Sequence, residues 1–130
     1  MEFFAEVAQS GLDKNHLKQL LTLSRLPELC SSISSVLEDE GEYGVIYCVW
    51  GEFALNREEL KYGVRFSMPG CPNALAWSVT CDDGSDTTLI HCTINKHEHD
   101  PDFIESIQVF VSDWSAGIRN TVSPPEPKSA

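Results

Sequence analysis

The side chains best suited to chemistry gather near the end of a strand-rich stretch, where His91, Cys92, His97, His99 and Asp100 follow closely on one another. Imidazole, thiolate and carboxylate are zinc ligands, and a His-x-His pair beside a carboxylate has the right donor atoms. The loop Lys96-His97-Glu98-His99-Asp100 is polar throughout, however, and strand alternation turns Cys92 toward the core. Its imidazoles are expected to be solvated, and no metal site is expected. Cys71 lies in Pro69-Gly70-Cys71-Pro72-Asn73, a turn, which makes it the thiol expected to be most exposed. A nucleophilic cysteine needs a neighbouring base or cation, and spacing implies none here.

The carboxylates form no catalytic pair either. Asp82, Asp83 and Asp86 crowd a turn with Gly84 but lack the spacing of a calcium loop. Glu52 is expected to meet Arg65 or Lys61 across a hairpin as an ordinary ion pair. The chain contains no glycine-rich nucleotide loop, Gly-x-Ser-x-Gly elbow or His-Glu-x-x-His motif. These absences weigh against an enzyme, and no cofactor is expected. What remains is a set defined by place: Trp50, Glu52, Arg65 and His91 fall on one side of the expected sheet. An indole anchors a partner, a guanidinium holds an anion, and an imidazole exchanges a proton near neutral pH.

The elements that must position them read as follows. Alternation predicts four strands at 43–55, 59–68, 74–81 and 87–95, joined by short turns at 56–59, Met68-Pro69-Gly70-Cys71 (a type II turn) and Asp82-Asp83-Gly84-Ser85. One face takes Val45, Tyr47, Val49, Phe53, Leu55, Val64, Phe66, Trp77, Val79, Ile90 and Cys92. The other takes Ile46, Cys48, Trp50, Glu52, Ala54, Arg65, Ser78 and His91. Helical spacing predicts helices over 2–9, 13–24, 27–38 and 101–117. Asp13 and Asp100 stand as N-caps, and Gly117 as a C-cap. Residues 119–130, with three prolines, are expected to be a disordered tail. The expected fold is α+β, a single domain over 1–118. It is a two-layer sandwich in which a four-stranded antiparallel meander carries the N-terminal helices and one C-terminal helix on one face.

Composition narrows the function. A formal charge of −11, from 20 acidic and 9 basic residues, repels nucleic acid and favours a basic partner. Five cysteines, an odd number without Cys-x-x-Cys spacing, fit buried thiols in a reducing compartment. No apolar run reaches the ~18–20 residues of a membrane span, and Glu2 and Glu6 stand where a signal peptide carries cations. A cytoplasmic protein is expected. The functional expectation is a non-catalytic intracellular protein-binding module, an adaptor, regulator or inhibitor of a basic partner, working through the sheet face around Trp50. The alternative is a small-ligand-binding protein or minor enzyme with a site lined by Trp50, Arg65 and His91. A homodimer is compatible with both; nucleic acid and membrane partners are not expected.

Overall fold

The chain begins as a strand, where helical spacing had predicted a helix over 2–9. A computed structural model describes residues 1–95 and 98–122. In it β1 (Glu2–Val7) alternates, with Phe3, Ala5 and Val7 inward and Glu2, Phe4 and Glu6 outward. The predicted helix over 13–24 breaks early, into α1 (Lys14–Leu20) and a 3-10 turn (Leu23–Arg25). Asp13 does cap it, its carboxylate accepting the His16 N–H at 2.8 Å.

The predicted helix over 27–38 is mostly a strand. Helix α2 (Leu26–Leu29) lasts one turn, and β2 (Ile33–Asp39) follows. Ile33 pairs with Cys48 and Val36 with Ile46, three residues on β2 against two on its neighbour. That bulge, and a second between Val36 and Glu38, breaks the period of two and imitates the i, i+3 spacing of a helix.

The sheet has seven strands rather than four, in the order β1-β7-β6-β5-β4-β3-β2, all pairs antiparallel. The predicted strand over 43–55 is two, β3 (Tyr43–Cys48) and β4 (Gly51–Leu60). Between them Val49 and Trp50 form a tight turn, and Gly51 follows at φ +112°, a conformation L side chains rarely adopt. The next turn lies at Lys61 and Tyr62, since Leu60 pairs with Gly63, and not at 56–59. Strands β5 (Gly63–Ser67), β6 (Ala76–Thr80) and β7 (Thr88–Thr93) complete the meander. The Met68–Cys71 turn closes with the Cys71 N–H on the Met68 carbonyl at 3.0 Å, but Gly70 lacks the positive φ of a type II turn.

Helix α3 (Pro101–Val122) runs past the predicted end at 117 and takes in residues 119–122 of the predicted tail; 123–130 lie outside the described residues. Gly117 is not a cap. It is where α3 crosses α2 so closely that a Cβ would overlap the Leu29 carbonyl. The helices and the inner sheet face enclose one hydrophobic cluster. Its centre is aromatic: Trp77 packs against Phe66 and Phe110, at 5.3 and 4.9 Å between centroids, and near Trp114 at 6.1 Å. The indole N–H groups of Trp77 and Trp114 are buried there without a hydrogen-bond partner among the described residues.

Candidate functional site

The three helices share the inner face, so among the described residues the outer face of the sheet carries none of them. Register places its side chains in rows. Glu58, Arg65, Ser78, His91 and Phe4 stand opposite one another across β4, β5, β6, β7 and β1. Such a row spans about 19 Å. Tyr43, Asn56, Ser67, Ala76, Thr93 and Glu2 form the next row, one strand wider. The middle of the face is floored by small side chains, with aromatics toward both edges. Phe4 is 58% exposed on one side, and Tyr47 and Tyr43 are 52% and 44% exposed on the other.

Three of the four residues picked from sequence stand on this face; Trp50 does not. Arg65 is exposed between Glu58 and Ser78. His91 is fastened: its Nε2 lies 3.0 Å from Glu2 Oε1, and its ring stacks on Phe4 with centroids 4.5 Å apart and planes 4° from parallel. Glu52 pairs with Tyr47, not with Arg65 or Lys61, because the hairpin turn lies farther along the chain than predicted.

Trp50 sits in the β3–β4 turn on the helix side. It packs against Phe110 and Phe103, at 5.1 and 6.1 Å between centroids, and its Nε1–H donates to Ser106 Oγ at 2.8 Å. The two-residue turn at Val49–Trp50 is the cause. By interrupting the strand it inverts the expected faces of β3, so Ile46 and Cys48 are buried while Tyr47 points outward. Trp50, Arg65 and His91 therefore do not line one site.

Sequence reasoning missed Phe4, Tyr43 and Tyr47 for the same local reasons. Phe4 was hidden by the helical reading of 2–9, and the tyrosines by the inverted face of β3. Gly51 directly after Trp50 was the available signal for the turn.

Arg57 was missed as well, having been placed in a turn. It is 7% exposed on the inner face of β4. Its Nε donates to the Leu21 carbonyl at 2.7 Å and one terminal nitrogen to the Lys18 carbonyl at 2.8 Å. The other terminal nitrogen meets Glu42 at 2.8 Å and Glu59 at 3.2 Å. A guanidinium fork thus closes the open carbonyl end of α1, where a cation is favoured.

The remaining chemical candidates are quiet. Cys30 and Cys92 are buried, and desolvation pushes both thiols up to about 12. Cys48 and Cys81 are also raised, chiefly by desolvation. Cys71 is the half-buried exception. Among the described residues no group of three or more His, Cys, Asp or Glu side chains could hold a metal ion; His97 lies outside them. A depression of about 110 Å³ opens on the outer face among Arg65, Ala76, Trp77, Ser78, His91 and Thr93. No described helix is long and apolar enough to cross a membrane.

No family model matches the chain, and no curated protein matches it. The fold is similar to that of the protein XoxI from Bacillus cereus, at 17% identity and a TM-score of 0.61, over 98% of this chain and 97% of that one. An uncharacterized protein from Bacillus thuringiensis aligns at 16% identity and a TM-score of 0.59, over 95% and 98% of the two chains. A START superfamily protein from Mycobacterium smegmatis aligns at 10% identity and a TM-score of 0.59, over 93% and 97%. At these identities the likeness is one of fold: an α+β chain with an antiparallel sheet and a C-terminal helix.

Proposed function

We propose that this chain is a non-catalytic protein-binding module whose working surface is the uncovered face of the sheet, and that its partner is basic. One observation carries the reading. Among the described residues the seven-stranded sheet has one face without a helix, and that face displays Phe4, Tyr43 and Tyr47 around a floor of small side chains. Large exposed aromatics beside an arginine are the residue types on which binding energy concentrates. Glu2, Glu6, Glu52 and Glu58 stand around them, with Arg65 in the middle of the sheet, and this acidic excess among the described residues favours a cationic surface opposite.

The test is recovery of partners on immobilised protein, comparing the natural chain with Tyr47→Glu and Phe4→Glu. Both side chains are exposed, so the variants keep their melting temperatures. The partner recovered by the natural chain is lost from both, and its association slows as salt rises. A partner retained equally by both variants would remove the sheet face from the reading.

The small depression favours a second reading, a site for a small anion held by Arg65, Ser78 and His91. At about 110 Å³ it is well below the ~300 Å³ at which ordinary ligand pockets begin. A thermal shift with small carboxylates that disappears in Arg65→Ala would support it against the first.

A further inference from the structure

We propose that the groove between the β3–β4 turn and the N-terminal half of α3 is a second docking site, which takes an apolar side chain flanked by Lys or Arg on a partner protein. It lies on the helix side of the sheet and does not depend on the outer face. The groove has a volume of about 300 Å³ and is lined by Ser32, Val49, Asp102, Glu105, Ser106 and Val109. Its surface is mostly apolar. Val49 is 58% exposed and Val109 50% exposed, two β-branched side chains left facing one opening.

The walls are held in place without a ligand. The Val49 N–H donates to the Ser32 carbonyl at 3.0 Å, and the Ser32 hydroxyl donates to Asp113 at 2.5 Å. From beneath the turn, Trp50 ties to Ser106, whose own hydroxyl donates to the Phe103 carbonyl at 2.6 Å. A preformed wall loses little entropy when occupied.

Charge selects the occupant. Asp102, Glu105 and Val109 recur at helical spacing on one stripe of α3, so two carboxylates stand on the rim, and among the described residues no Lys or Arg lines the groove. The chain carries −11 overall. An apolar floor under an acidic rim repels acidic peptides, nucleic acid and anionic lipid surfaces, and accepts a cationic segment with an apolar side chain at its centre.

The experiment titrates the full isotopically labelled chain with the blocked hexapeptides Lys-Lys-Leu-Leu-Lys-Lys, Lys-Lys-Ser-Ser-Lys-Lys and Glu-Glu-Leu-Leu-Glu-Glu, followed by amide NMR shifts. The first peptide shifts Val49, Ser106 and Val109 saturably, and the other two do not. Val109→Ser weakens it about tenfold, as does the pair Asp102→Asn with Glu105→Gln. Tyr47→Glu and Phe4→Glu leave the peptide affinity unchanged, which separates this site from the sheet face. Equal shifts with the Lys-Ser peptide, or shifts confined to the outer face, would overturn the proposal. So would a concentration-dependent dimer abolished by Val109→Glu, which would make a second copy the occupant.

Discussion

At the scale of single residues, the Trp50 indole spans the boundary between turn and core. It is half-buried, contacts two aromatic rings of α3 and donates to Ser106. Truncation forfeits that packing and leaves a cavity under the helix. Trp50→Ala is therefore expected to cost about 2–4 kcal/mol of stability, read by chemical denaturation. A surface indole would cost almost nothing, so a loss within experimental error would contradict its placement. Arg57 is the complementary case, a buried cation held by two helix-end carbonyls and two carboxylates. Its role arises from contacts with residues far back in the chain, and local spacing carries no trace of it.

Among the elements, α3 and α2 make the tightest crossing. Glycine in a helix interior is unfavourable relative to alanine by about 1 kcal/mol, and an exposed Gly→Ala change there would stabilise. At Gly117 the sign reverses, because the added methyl meets the Leu29 backbone, which cannot swing aside as a side chain can. Gly117→Ala is expected to destabilise by about 1–3 kcal/mol, visible as a lowered melting temperature. An unchanged or raised melting temperature would mean that the helices separate at no cost. Strand β2 carries the other lesson at this scale. Ile33 and Val36 both stand opposite inward residues of β3, Cys48 and Ile46, only because a bulge absorbs the extra residue, while Leu37 is left exposed. A pattern rule that counts in twos or in 3.6s reads such a strand as a helix.

For the whole molecule, burial of the thiols links stability to pH. Cys30 and Cys92 ionise near 12 when folded and near 9.0 in an exposed chain. The folded state thus holds protons that the unfolded state releases, and the stability gained is fully present below about pH 9 and lost progressively as pH rises toward 12. Denaturant midpoints measured from neutral pH upward should fall across that window, and replacing both cysteines by alanine should flatten the fall. At neutral pH a thiol reagent such as DTNB should modify Cys71 first and the other four only on unfolding. A second fast thiol in the native protein would contradict the burial of the core face.

The sequence by itself determined whatever depends on local spacing and composition. The inward faces of β5, β6 and β7, the caps at Asp13 and Asp100, the apolar stripe of α3 and the acidic surface all follow from short-range pattern. Arg65 and His91 were placed on the outer face for the same reason. Tertiary structure decided the rest. It paired β1 with β7, as in Glu2 with Thr93, bulged β2, folded the expected first strand into a hairpin and drew Trp50 beneath α3. Each of these rests on a partner distant in sequence or on a turn of two residues, and a two-residue turn is enough to exchange the faces of the strand on one side of it.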